Sequence, residues 1–281
     1  MKNNTTGNVK GRRRIFLLTA LLLFGAAAVG AAVAVPMMTG TAASEAGMED
    51  GWSDTDTEGG RTDTDIVSWF TADIDHDSNE ELLVITDGGG DEELRLDTGE
   101  RYGSFVKIYS DYELANQAPI PKGEPDYIFD LSEIKPLKVQ AGDINGDGEM
   151  ELAVCVYKTT KFHPVLAKRP FFYGMKEGKL EPVWLGSRLA RPFDDYILAD
   201  VDHDDIDEIV SIEFLEDGGQ VFAVYDWKGF GFEVKAVTEK LAGQAAFLNH
   251  LHGKQGDIAV EVDGERYQLS LAGSTIELTR Q

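Results

Sequence analysis

Three short segments of the sequence carry oxygen-bearing side chains at alternate positions, and each lies directly before an apolar run. The clearest is Asp143-Ile144-Asn145-Gly146-Asp147-Gly148-Glu149-Met150-Glu151, with Leu152-Ala153-Val154 after it. Its first, third, fifth and ninth side chains are oxygen donors, and the glycine at the sixth position permits a sharp turn. A hard cation such as Ca²⁺ takes about six to eight oxygen ligands, and alternating short carboxylates on a tight loop supply several of them. The segment is therefore a candidate calcium loop.

The same spacing occurs in two further segments, so the chain contains three copies in register. In each copy the first, third and fifth residues would give side-chain oxygens, the seventh its backbone carbonyl, and the ninth, always glutamate, would close the site. The predicted ligands are Asp73, Asp75, Asp77, Asn79 and Glu81 in loop one, Asp143, Asn145, Asp147, Glu149 and Glu151 in loop two, and Asp200, Asp202, Asp204, Ile206 and Glu208 in loop three. Loops one and three have Ser78 and Asp205 where loop two has Gly148, so we expect loop two to be the best formed. His76 and His203, at the fourth position, are expected to point outward.

The spacing separates these loops from other metal sites. An EF-hand needs a bidentate glutamate at the twelfth position between two helices, whereas here the acid comes at the ninth position between strands. Zinc is disfavoured because no cysteine joins the clusters and the histidines lack ligand spacing. Mg²⁺ fits less well than Ca²⁺, since it demands a small octahedral site. The alternative is an Asp-rich turn that caps its own backbone N–H groups and binds no metal.

The elements around the loops are short β-rich runs separated by Gly, Asp and Asn, beginning at Ile66. Each loop lies between the first two strands of a unit of four; the second unit, for example, reads PLKVQAG, LAVCVY, RPFFYGM and KLEPVWLG. A fourth unit follows in the tail, but its loop has Leu251 and Gly253 at the third and fifth positions after Asn249, so it is not expected to hold an ion.

Four units of four strands predict an all-β fold, a β-propeller of about four four-stranded antiparallel blades. The blades are predicted at about 66–134, 136–188, 194–238 and 245–281. We expect the aromatic residues of these strands to pack between blades, while an aromatic-lined carbohydrate groove is the alternative. These residues are Phe171, Phe172, Trp184, Phe222, Tyr225 and Trp227.

The N-terminal part of the chain has the features of an export segment. Residues 1–14 are basic, residues 15–35 are apolar and uncharged, and residues 36–65 form an acidic linker predicted to be disordered. A run of about 20 apolar residues is long enough to cross a bilayer, and the basic flank should stay in the cytoplasm. Residues 15–35 are either a cleaved signal peptide or a retained anchor. Both interpretations place residues 66–281 outside the cytoplasm.

Composition limits the classes of function. The chain has 281 residues, and its 26 Lys and Arg against 50 Asp and Glu give a net charge of −24. Such a surface is a poor partner for nucleic acid or anionic lipid. The single cysteine, Cys155, excludes an intramolecular disulfide, and its place in an apolar run indicates a buried thiol.

The pattern Asp-x-Asp/Asn-x-Asp-Gly-x-x-Glu-Leu-x-Val, strongest at residues 143–152, resembles the FG-GAP/VCBS repeats found in integrin α-subunit propellers and bacterial surface proteins. The resemblance covers about residues 66–281. It implies a propeller stabilised by Ca²⁺ ions on the rim of its blades. Members of the family include adhesion modules, sugar binders and domains attached to enzymes.

The sequence contains no Gly-x-Ser-x-Gly, His-Glu-x-x-His or phosphate-binding glycine loop, so we expect a non-enzymatic protein. The prediction is a membrane-anchored or secreted calcium-binding propeller that acts as a structural or interaction module. Its partner would be an extracellular protein or glycan, and it would meet the membrane only through an uncleaved N-terminal segment. The alternative is a carbohydrate-active propeller that binds glycans or degrades polysaccharides.

Overall fold

The computed structural model describes residues 66–88, 93–116, 118–186, 188–248 and 258–281. The described residues belong to one compact unit. The predicted basic flank 1–14, apolar segment 15–35, acidic linker 36–65 and fourth loop 249–257 lie outside them. Within the described ranges, no helix is long and apolar enough to span a bilayer.

The described residues form four sheets of four antiparallel strands and one separate two-stranded hairpin, which confirms the predicted four-bladed propeller. Blade one contains β1 (Ile66–Ala72), β2 (Glu81–Thr86), β3 (Phe105–Tyr109), β4 (Tyr112–Ala115), β5 (Ala118–Pro121) and β6 (Tyr127–Asp130). Of these, β4 and β5 form the separate hairpin, and the blade itself has the order β1-β2-β3-β6. A 3₁₀ turn at Ser132–Ile134 leads to the second blade.

The other three blades use consecutive strands in chain order. Blade two contains β7 (Pro136–Gly142), β8 (Glu151–Thr160), β9 (His163–Lys176) and β10 (Lys179–Leu185). Blade three contains β11 (Phe193–Ala199), β12 (Glu208–Phe214), β13 (Gln220–Trp227) and β14 (Phe232–Val237). Blade four contains β15 (Ala245–Phe247), β16 (Ile258–Val262), β17 (Glu265–Ala272) and β18 (Thr275–Arg280).

The core consists mainly of three layers, each shared by two neighbouring blades. Blades one and two share a cluster that includes Phe70, Ile85 and Phe171. Blades two and three share the cluster around Tyr196 and Cys155, and blades three and four share a third cluster. Blade three packs against a neighbour on both faces, and accordingly six of the seven residues of its second strand, β12, are buried.

The aromatic residues lie in these layers, as predicted. Phe172 belongs to the cluster between blades two and three, with its ring centroid 5.0 Å from that of Phe232 and 6.1 Å from that of Trp184. Trp227 lies 5.2 Å from Phe232 on the same side. Aromatic packing therefore joins blade two to blade three.

Candidate metal centre

The three acidic loops connect the first and second strands of blades one, two and three, and they share one backbone shape. The fourth and sixth residues of every loop have positive φ, with values of 62° and 75° in loop one, 74° and 86° in loop two, and 64° and 66° in loop three. Only loop two has glycine at both positions. Loops one and three hold the same turn with His76, Ser78, His203 and Asp205.

The first aspartate of each loop is fixed by backbone donors from the same loop. Its carboxylate accepts a hydrogen bond from the N–H of the sixth residue, at 3.0 Å for Asp73, 2.8 Å for Asp143 and 3.1 Å for Asp200. The bond ties the loop across five residues. It also fixes one carboxylate directly after the end of the first strand.

The ninth-position glutamate is fixed in the same way. Glu81, Glu151 and Glu208 are buried, and each accepts a hydrogen bond from the N–H of the second loop residue at 2.9, 3.2 and 3.0 Å respectively. One oxygen of each glutamate is thereby used by the backbone. The other faces the carboxylate cluster.

The structure brings together the first, third and ninth side chains of loops one and three. Carboxylate oxygens of Asp73, Asp75 and Glu81 lie within 4.8 Å of one another, and so do those of Asp200, Asp202 and Glu208. In loop two the third residue is Asn145, whose amide Nδ2 donates to Glu151 Oε1 at 2.7 Å. The same three positions therefore converge in all three loops, with one carboxylate fewer in loop two.

The fifth and seventh residues are placed differently. The fifth-position carboxylates of Asp77, Asp147 and Asp204 accept hydrogen bonds from the N–H of the seventh residue at 2.7, 2.9 and 3.0 Å. The seventh residues, Asn79, Glu149 and Ile206, have unlike side chains. Glu149 Oε2 lies 3.6 Å from His76 Nε2 of the preceding blade, which joins the rims of loops one and two.

Burial and neighbouring carboxylates make the clusters unfavourable for negative charge. Burial, and after it the charges of Asp147 and Asp143, raise the pKa of Glu151 to about 7. The pKa of Glu81 is raised by burial and by Asp75, Asp77 and Asp73. Burial raises the pKa of Glu208 to about 7, although the hydrogen bond from Lys235 acts in the opposite direction. A cation at any of the clusters would relieve this repulsion.

Loop one has the donor set of a hard-cation site. Asp73 Oδ1 is buried and has no hydrogen-bond partner among the described residues. Beside it lies a cleft of about 220 Å³ lined by Asp75, Glu81, Ser110 and Asp126, among others. An all-oxygen site with an unsatisfied buried carboxylate oxygen suits Ca²⁺ or a similar ion.

Loop three contains a feature that the sequence motif did not reveal. Lys235, on β14, places its Nζ 2.5 Å from Asp202 Oδ2 and 2.9 Å from Glu208 Oε1. It also lies 2.9 Å from Asp226 Oδ1. Burial opposes the charge of Lys235, but these three carboxylates outweigh it and raise its pKa. The motif ends at Glu208, so the only sequence signal was a lone basic residue in the last strand of the blade.

Loops two and three are joined directly. The backbone N–H of Asp143 donates to Asp207 Oδ2 at 3.0 Å, and the N–H of Asp207 donates to the carbonyl of Asp143 at 2.7 Å. Asp207 precedes the glutamate of loop three, and Asp143 opens loop two. The positions of the two candidate ligand sets are therefore coupled through one pair of hydrogen bonds.

Comparison of the chain with protein-family models found no match, and comparison with curated protein sequences found no significant similarity. The resemblance to FG-GAP/VCBS repeats therefore rests on the loop motif.

Proposed function

We propose that this protein is an exported calcium-binding propeller of the FG-GAP/VCBS type, acting as a structural or interaction module at the cell surface or in secreted form. The observation that carries the proposal is the cluster of Asp73, Asp75 and Glu81, because its carboxylates converge within 4.8 Å and one buried oxygen lacks a donor. Loop two repeats the arrangement, with Asn145 at the third position, where loop one has Asp75. The apolar segment 15–35 supports export.

Calcium in this proposal has a structural role. The predicted ligands lie at the ends of the first two strands of a blade, so a bound ion would fix the connection between those strands. A ligand that binds only the folded state stabilises it by mass action, by about 2.7 kcal/mol when its free concentration is 100 times the dissociation constant. Removal of the ion should then loosen the rim without removing the shared core layers.

The test is calorimetric titration with calcium together with thermal melts in calcium and in EDTA. We expect heat of binding and a melting temperature that falls with EDTA. The double variant Asp73→Asn/Asp75→Asn should reduce the number of ions bound, because two carboxylates leave the cluster of loop one. Asp217→Asn is the matched control, since Asp217 is exposed in a turn and bonds to Lys240 away from all three loops.

An unchanged melt in EDTA together with no heat of binding would contradict the calcium proposal. The interaction role is distinguished from the carbohydrate-active alternative by a glycan panel. Reducing ends released from a polysaccharide would favour degradation, whereas retention on a glycan column without release would favour binding.

A further inference from the structure

We propose that the ammonium group of Lys235 takes the place of a metal ion in loop three. The carboxylates of that loop are then neutralised by a lysine of the same chain instead of a bound ion. Loops one and two are then the divalent-cation sites. The proposal for these two loops rests on the proposed function, while that for Lys235 rests on its own contacts.

Three carboxylates surround the lysine: Asp202 and Glu208 accept hydrogen bonds from it, and Asp226 lies at ion-pair distance. A lysine ammonium has three N–H donors, and Lys235 Nζ has three carboxylate neighbours, at 2.5 Å from Asp202, 2.9 Å from Glu208 and 2.9 Å from Asp226. Asp202 and Glu208 are the third- and ninth-position residues of the calcium motif. Only 17% of the lysine side chain is exposed, so the group is part of the site and does not sample the surrounding water freely.

A β-bulge directs this side chain into the loop. In the pairing of β13 with β14, Val224 lies opposite Ala236 and Tyr225 lies opposite Val234, so Lys235 is an extra residue with no partner across the ladder. Bulges re-aim a side chain from its normal alternation. The backbone irregularity thus accounts for the placement of an ammonium group on an inward-facing carboxylate cluster.

The equivalent position differs in the other two metal loops, as the strand registers show. In each blade the residue after the glutamate pairs with a tyrosine of the third strand: Leu82 with Tyr109, Leu152 with Tyr173 and Ile209 with Tyr225. In each of these third strands, the residue before the tyrosine pairs with the fourth strand. The pairs are Ile108 with Tyr127, Phe172 with Trp184 and Val224 with Ala236. The residue preceding each of these partners is Asp126 in blade one, Val183 in blade two and Lys235 in blade three.

The charge at this one position, in or directly before the fourth strand, therefore differs among the three loops. In blade one it holds an acid, Asp126, which lines the cleft beside Asp75 and Glu81. In blade two it holds Val183, which brings no charge. In blade three it holds a cation that neutralises the cluster. A divalent ion could enter loop three only by displacing Lys235 and breaking its three contacts. In loop two it would break only the hydrogen bond from Asn145 Nδ2 to Glu151, and no lysine occupies loop one among the described residues.

The experiment counts bound calcium ions on the full chain by native mass spectrometry and calorimetry. We expect two ions on the wild-type protein and three on Lys235→Met, because methionine fills the stem volume without the charge. Lys228→Met is the matched control and should bind two ions, since Lys228 contacts Asp226 at 2.8 Å and does not reach loop three. A second variant, Asp202→Asn, should keep the wild-type number of ions, and it keeps the proposal testable if Lys235→Met does not fold.

The outcomes separate the two proposals. Two ions on both wild type and folded Lys235→Met would overturn the role of Lys235 and leave calcium binding at loops one and two intact. No ion on the wild type and one on Lys235→Met would support Lys235 and overturn calcium binding at the other loops. Three ions on the wild type, or the loss of one ion in Asp202→Asn, would also overturn the Lys235 proposal.

Discussion

At the fourth and sixth positions of the loops, a left-handed backbone is kept whatever residue stands there. Asp205 has φ of 66° where the equivalent Gly148 has 86°. For a residue with a Cβ atom this conformation costs about 1–2 kcal/mol. The hydrogen bonds to the first aspartate and the ninth glutamate offset that cost, since they anchor the loop at both ends. Loop two avoids it by having glycine.

Replacing Gly148 with alanine should measure this backbone cost directly. A Cβ atom at Gly148 would meet nothing within 4 Å, so the expected loss of about 1–2 kcal/mol comes from φ alone. Urea denaturation in EDTA measures it. Gly229→Ala is the control, because Gly229 has φ of 82°, is equally open and lies in the hairpin between β13 and β14.

Both glycine variants should lose similar stability, but only Gly148→Ala should also lose calcium affinity. A Gly148→Ala protein as stable as the wild type would show that the loop relaxes out of the left-handed conformation without cost.

At the scale of elements, the long hairpin of β8 and β9 is held by one buried side chain. Arg169 is fully buried. Its guanidinium donates to the backbone carbonyls of Lys158 at 3.2 Å, Val165 at 2.6 Å and His163 at 3.4 Å. Because Lys158 lies on β8 whereas His163 and Val165 lie on β9, these hydrogen bonds hold the two strands of the hairpin together. The planar guanidinium with its several N–H groups suits this task, and a lysine would not replace it.

Arg169→Met should destabilise the protein by about 2–3 kcal/mol, since hydrogen bonds from a charged donor contribute about 1.5–3 kcal/mol and three carbonyls lose their partner. Denaturant melts give the size of the loss, and hydrogen exchange should increase first across residues 158–168. Arg280→Met is the control, because Arg280 is exposed and pairs only with Glu265 among the described residues. Equal effects of the two substitutions would contradict the structural role of Arg169.

The elements that the sequence predicts well are those set by local pattern. The short β-rich runs and the Asp-rich turns between them predict the four strands of each blade, the start of each loop and the packing of Phe172 and Trp227. The strands predicted from the sequence are shorter than β8 and β9, which run to Thr160 and from His163. The outer parts of these strands are half-buried or exposed and depend on Arg169. It also misses Lys235, since a bulge in the register cannot be read from residue types.

At the scale of the whole molecule, stability is distributed over layers between neighbouring blades. Cys155 lies in the layer between blades two and three and is 4% exposed. Burial raises the pKa of its thiol to about 12. Because the thiolate is the reactive form, this cysteine can react only when the layer opens.

Labelling with a thiol reagent should therefore report opening of the two middle blades. We expect no reaction in native buffer, complete reaction in concentrated guanidinium, and slower reaction with calcium than with EDTA near the melting temperature. Ser274→Cys supplies the control, because residue 274 is exposed in the turn between β17 and β18 and should react at once with one equivalent. Rapid labelling of Cys155 in native buffer would show a route to the thiol that does not need the layer to open.

The order of strands within the blades bears on how the chain folds. Each described sheet is assembled from strands that are neighbours along the chain, and even in blade one only the β4–β5 hairpin intervenes. Contacts of short sequence separation need little loop-closure entropy and favour fast folding. A chain that becomes available amino end first could thus form the sheet of blade one before blade two is available, and each new blade could pack on the exposed face of the one before it. Only blade four would have to wait for the carboxyl end.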